Sequence, residues 1–112
     1  MTQKDTSNAV QDRIQRLVTS NRIVLFMKGT PVAPMCGFSA TAAKILELNG
    51  ATEYAHVNVL EDQDIREGVK AYSSWPTIPQ LYVQGEFIGG ADIMREMHGN
   101  GEMAALLKRA GS

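Results

Sequence analysis

The chain has 112 residues, of which 11 are basic and 12 acidic, for a formal net charge of -1 at pH 7. That balance gives no global positive field for nucleic acid or an anionic membrane, and the length suits one domain with a modest core. No apolar run approaches the roughly 18 residues of a membrane-spanning helix, and the single cysteine excludes an internal disulfide, which fits a reducing compartment better than secretion.

In chain order, residues 1–7 are polar and are expected to fray, leaving residues 8–112 as one folded domain. This start has neither the apolar core of a signal peptide nor the Arg-rich, acid-poor character of a transit peptide. A cytoplasmic location is therefore expected, with the mitochondrial matrix or another organelle as the alternative if a presequence has been removed. Val10, Ile14, Leu17 and Val18 mark a first helix, with Ser7 or Asn8 as its cap. Ile23-Val24-Leu25-Phe26-Met27 is a short apolar run of strand formers, after which Gly29-Thr30-Pro31 and Pro34 break the chain. Phe38, Ala42, Ile45 and Leu46 then form the stripe of an amphipathic helix ending at Asn49-Gly50.

Cys36 consequently falls on a strand-to-helix loop at the start of that helix. A free thiol has a pKa of about 8.5, and only the thiolate is a nucleophile or metal ligand. The positive end of a helix and a cation such as Lys28 both lower that pKa, so this position favours a reactive thiol.

Farther along, Tyr54 to Val59 reads as a second strand, parallel to the first because a helix separates them. Asp62 or Asp64 begins a helix holding Ile65, Val69 and Tyr72, with Arg66 on another face; Gly68 weakens that helix by about 1 kcal/mol relative to Ala. Trp75 to Pro79 is too proline-rich for helix, and Leu81-Tyr82-Val83 and Phe87-Ile88 flank a hairpin turn at Gln84-Gly85-Glu86. Gly89-Gly90 precedes a short helix over about Asp92 to His98, and Met103, Leu106, Leu107 and Ala110 stripe a last one. His56 and His98 share no metal-site spacing with Cys36. The six methionines are expected to fill core gaps. Trp75 either packs beside the site or caps the sheet.

Four stretches carry a resemblance: Met27-Lys28-Gly29-Thr30-Pro31; Pro34-Met35-Cys36-Gly37-Phe38-Ser39; Trp75-Pro76-Thr77-Ile78-Pro79-Gln80; and Gly89-Gly90 with Asp92-Ile93. In register, and spanning Asn8 to Ala110, they resemble the monothiol glutaredoxins with the Cys-Gly-Phe-Ser signature. The resemblance implies an α/β thioredoxin fold, a four-stranded mixed sheet flanked by about five helices. It makes Cys36 the reactive thiol and metal ligand, and it implies a glutathione site. In that site Lys28 and Arg66 meet the glycine carboxylate, Gly90 and Ala91 turn N–H groups toward the γ-glutamyl carboxylate, and Asp92 takes its ammonium. Ile78, before a cis Pro79, offers main-chain hydrogen bonds to the cysteinyl unit, and Phe38 completes the set.

The second implied cofactor is a 2Fe-2S cluster shared between two chains, so the protein is expected to be monomeric when apo and dimeric when cluster-bound. BolA-type proteins and iron-sulfur recipient proteins are the implied partners. Ser39 stands where dithiol relatives carry a resolving cysteine, and Ala91 where many relatives with this signature carry a second one. Gly37 stands where dithiol relatives have proline. Besides cluster carriage, two other readings stay open: a glutathione-dependent thiol-disulfide oxidoreductase acting through Cys36, and a non-catalytic adaptor.

Overall fold

The computed structural model describes the backbone of residues 2–111 and the side chains of residues 9–111. Met1 and Ser112, the outer ends of the expected frayed and folded segments, lie outside the described residues. Helix α1 (Thr2–Ser20) leads into strand β1 (Ile23–Met27). A small antiparallel ribbon, β2 (Gly29–Thr30) and β3 (Ala33–Pro34), precedes α2 (Gly37–Leu48). Then come β4 (Ala55–Asn58), a 3-10 turn at Val59–Glu61, and α3 (Gln63–Ser73). The hairpin β5 (Gln80–Val83) and β6 (Glu86–Gly89) is followed by α4 (Ala91–Asn100) and α5 (Glu102–Arg109).

The main sheet runs β4-β1-β5-β6. Strand β4 is parallel to β1, with Val57 opposite Phe26, whereas β5 is antiparallel to β1 and places Gln80 opposite Phe26. This is the mixed, four-stranded thioredoxin fold expected from the sequence. The uninterrupted apolar run of β1 follows from its central place, since both faces of the strand are covered. Ile23, Leu25 and Met27 pack with α2, α4 and α5 residues such as Leu46, Met94 and Leu107. Val24 and Phe26 face the other way, onto Ile14 and Val18 of α1 and Ile65 and Val69 of α3.

Local chemistry sets the ends of the elements. Asp62 caps α3 by accepting from the Ile65 N–H at 3.1 Å, and it also accepts from Arg13 of α1 at 2.8 Å. Arg13 therefore holds the Asp62 carboxyl below the usual carboxylate range. The hairpin turn places Gln84 at φ 52° and Gly85 at φ 82°, the pair of positive values that a two-residue turn between right-twisted strands requires. No helix among the described residues is long and apolar enough to cross a membrane.

Four expectations need correction. Backbone helix α1 begins at Thr2, so Ser7 and Asn8 lie within it instead of capping it. No Gly or Pro interrupts residues 2–8, and a cap needs a backbone that has left helical φ/ψ. Phe38, expected in the buried stripe of α2, is 58% exposed; Ala42, Ile45 and Leu46 carry the stripe without it. Met35 is 70% exposed, so it fills no core gap, unlike Met27, Met94 and Met103. The β2–β3 ribbon had no sequence signal, because strands this short contain no period to detect and one of them includes a proline.

Candidate functional site

The ribbon is what presents the cysteine. Gly29, at φ +91°, starts it, and a Cβ there would sit 2.6 Å from both the Ala33 carbonyl oxygen and the Met35 nitrogen, so only glycine fits. Asn58, at the end of β4, accepts from the Gly29 N–H at 2.9 Å and from the Leu60 N–H at 3.1 Å, which ties the ribbon to the sheet. The Met35 N–H closes the excursion by donating to the Lys28 carbonyl at 2.9 Å. The chain thus returns to the carboxyl end of β1 before α2 begins, with extended Cys36 as the N-cap residue of that helix.

Cys36 is partly exposed and its thiol is held below the ordinary cysteine value. The foremost cause is the Ser39 backbone N–H in the first turn of α2; partial burial opposes it, and the Phe38 N–H, the Lys28 charge and the Ser39 hydroxyl add to the lowering. Sequence reasoning looked to helix position and Lys28. In the structure, the first-turn amides of Ser39 and Phe38 weigh more on the thiol than the lysine does.

Cys36 opens into a cleft of about 380 Å³ that straddles the end of the sheet. Every site residue expected from the sequence lines it. Lys28 and Cys36 come from the β1–α2 connection, Phe38 from α2 and Arg66 from α3. Ile78 and Pro79, joined by a cis peptide bond, come from the segment before β5. Gly90, Ala91 and Asp92 complete the set at the start of α4, with Gly90 as its N-cap residue.

Lys70, Trp75, Pro76, Thr77 and Ile93 also line the cleft. Lys70 was legible in principle, since it lies one turn beyond Arg66 on the same helix face. The two readings left open for Trp75 resolve in favour of the site: its half-exposed ring borders the cleft and leans on Phe87 with ring centroids 6.2 Å apart. His98 instead shares a 3.0 Å contact between its Nδ1 and Asn49 Nδ2, and His56 packs T-shaped with Tyr54, ring centroids 6.4 Å apart.

Among the described residues no three His, Cys, Asp or Glu side chains gather into a metal site. A 2Fe-2S cluster is normally held by four thiolates, and this chain offers one sulfur of that kind, Cys36. The donor set fits such a cluster only as one ligand among thiolates from other molecules.

A family model described as Glutaredoxin matches residues 23–88. Glutaredoxin-related protein 5, mitochondrial, of Danio rerio is 48% identical over 105 residues, covering 94% of this chain and 68% of that one. The uncharacterized monothiol glutaredoxin ycf64-like of Synechocystis sp. is 51% identical over 98 residues, covering 88% of this chain and 91% of its own. Among solved structures, reduced apo GrxS14 of poplar matches with a TM-score of 0.79 at 46% identity, covering 94% of this chain and 95% of that one. With its one cysteine in the sequence Cys36-Gly37-Phe38-Ser39 at the mouth of the cleft, the chain belongs to the glutaredoxin family, in its monothiol, Cys-Gly-Phe-Ser branch.

Proposed function

We propose that the cleft binds glutathione and that two chains so loaded carry a bridging 2Fe-2S cluster as cargo for recipient proteins. The observation that carries this reading is the convergence of Cys36 with Lys28, Arg66 and the start of α4 in one cleft. Glutathione has two carboxylates, one ammonium and a thiol, and each finds a complement there. Lys28 and Arg66 meet the glycine carboxylate, while the Gly90 and Ala91 N–H groups and Asp92 receive the γ-glutamyl end. The Ile78 main chain pairs with the cysteinyl unit, and Phe38 and Pro79 supply apolar walls. Arg66 supports the anion assignment further, since its Nε is the buried side-chain atom without a hydrogen-bond partner among the described residues.

Assembly follows from counting thiolates. Two Cys36 sulfurs and two glutathione sulfurs make the four that the cluster needs. The apo chain is then a monomer and the loaded form a dimer, joined chiefly by metal–sulfur bonds and therefore labile. BolA-type proteins and iron-sulfur recipients are the partners this reading calls for. It operates in a reducing compartment, the cytoplasm or the mitochondrial matrix, and the mitochondrial designation of the Danio rerio relative supports the second.

Anaerobic purification with glutathione, followed by visible absorbance, light scattering and assay of iron, sulfide and glutathione, tests the proposal. The expected result is one cluster and two glutathiones per dimer, all lost in Cys36→Ser. One cluster per monomer, or colour retained by Cys36→Ser, overturns it.

The lowered thiol favours a second reading, glutathione-dependent disulfide exchange. The Cys36 thiolate attacks the glutathione sulfur of a mixed disulfide and expels the other thiolate; a second glutathione thiolate then attacks the adduct, releasing glutathione disulfide and Cys36. Robust turnover in a glutathione-coupled assay, abolished in Cys36→Ser, would place this activity first; we expect weak turnover.

A further inference from the structure

We infer that Gln80, a residue that does not itself line the cleft, is the positioning residue that moulds its wall, because its one amide takes up the main-chain carbonyls of both Trp75 and Thr77. The inference rests on the reading of the cleft as a glutathione site. Trp75 to Pro79 contributes five consecutive lining residues, yet this segment lies between α3 and β5 in neither helix nor strand. The Trp75 N–H ties the start of the segment to the Lys70 carbonyl at 3.1 Å, but Pro76 and Pro79 have no N–H to give, so no backbone ladder continues along it.

Gln80 supplies what the ladder cannot. Its Nε2 donates to the Trp75 carbonyl at 3.1 Å and to the Thr77 carbonyl at 3.1 Å, while its Oε1 accepts from the Tyr82 hydroxyl at 3.2 Å. The side chain is fully buried, and donors and acceptor of the amide are all engaged. Its anchor is rigid: Gln80 begins β5 opposite Phe26, and the Tyr82 ring packs 5.6 Å from Phe26 and 5.4 Å from Phe87, centroid to centroid. Position therefore passes from the sheet, through one amide, to the wall that would face the ligand. An ionised Glu only accepts and Leu or Met cannot donate, so none of these similar-sized side chains replaces the amide.

Gln80→Glu keeps the shape but sets a carboxylate oxygen against two carbonyl oxygens. Glutathione affinity by calorimetry and the emission of Trp75, the only tryptophan, report the outcome together. We expect at least a tenfold loss of affinity at neutral pH, growing as pH rises through the introduced carboxyl's pKa and tracked by a shift in Trp75 emission. Wild type should show no such profile. Tyr82→Phe, which perturbs the core but spares both carbonyl bonds, should hold affinity within about twofold, a contrast that a merely structural role would not produce. If Gln80→Glu does not fold, the uncharged Gln80→Leu should weaken binding without the pH dependence. Wild-type affinity and wild-type Trp75 emission in the folded variants overturn the inference. Should wild type fail to bind glutathione, the proposed function falls, and Trp75 emission alone decides the role of Gln80: a shift supports it and an unchanged spectrum overturns it.

Discussion

The Lys28 main-chain N–H donates to the Ser39 hydroxyl oxygen across 2.9 Å. This bond fastens the end of β1 to the first turn of α2, and the fully buried Ser39 also contributes to lowering the Cys36 thiol. Serine at this position, where dithiol relatives place a resolving cysteine, is therefore part of the site's frame. Ser39→Ala should leave the Lys28 amide without a partner, costing roughly 1–3 kcal/mol, and should raise the thiol pKa. Thiolate absorbance against pH is the measurement; an unchanged midpoint would show that the Ser39 hydroxyl has no hold on the sulfur, the larger effect of the Ser39 N–H being kept in the variant.

The same thiol makes stability depend on pH. Because folding holds Cys36 below its ordinary value, the folded state favours the thiolate. That contribution is full above the unfolded pKa of about 8.5 and disappears as pH falls through the folded value. Wild type should thus gain stability relative to Cys36→Ser as pH rises across this window, as read from urea unfolding at several pH values. A difference independent of pH would contradict the lowered thiol.

Lys28→Ala and Asp92→Ala should each weaken glutathione binding while leaving the fold intact, since neither side chain belongs to the buried core. Loss of a hydrogen bond to a charged partner costs roughly 1.5–3 kcal/mol, or about 10- to 150-fold in affinity. Calorimetric titration gives the answer, and equal affinity in both variants would mean that the ligand sits elsewhere.

Much of this was legible in the sequence because period and punctuation agreed. The apolar run of β1, the Asn49-Gly50 end of α2 and the Ala42, Ile45 and Leu46 part of its stripe were placed correctly, and the thiol was put at a helix start. Eight of the nine expected site residues converge because they sit in or between the quoted motif residues, whose spacing the fold preserves, and Arg66 joins them from α3. What escaped was either a period that packing overrode or a contact that follows no period. Phe38 fits the α2 stripe by spacing, yet at the first turn it extends past the edge of the core. The Gln80 amide links residues three and five positions back, a contact that neither a helical nor a strand period describes. Gly68 looked like a defect in α3 until its neighbour on α1 was known.

Tyr82 yields an alkaline prediction. Burial pushes its phenol up to about 12, whereas the unfolded value is about 10. A raised acid contributes stability fully below the unfolded pKa and loses it as pH climbs through the folded one. Stability should therefore fall between these values. Tyr82→Phe, less stable at neutral pH because Gln80 loses a partner, should lose less over that interval, so the two curves converge. Parallel curves would show that Tyr82 ionises without cost.

Gly68 is the last case, and here local propensity and packing oppose each other. In an exposed helix interior, Gly→Ala gains about 1 kcal/mol. At Gly68, however, an added Cβ would sit 2.5 Å from Val10 Cγ1 and 3.1 Å from Ile14 Cδ1 on α1. Both side chains are β-branched and buried, so neither moves aside freely. The Gly68 carbonyl also accepts from Gln11 Nε2 at 3.0 Å, a bond that depends on the close approach of the two helices. Overpacking of this kind costs typically 1–3 kcal/mol, enough to cancel the propensity gain and exceed it. Gly68→Ala should therefore destabilise the protein by about 1 kcal/mol, and Gly68→Ala combined with Val10→Ala should recover part of the loss by vacating the contact. Urea unfolding of the single and double variants tests this. A stabilised single variant would mean that α1 can draw back from α3 without penalty, and the close helix contact would then hold little of the fold's stability.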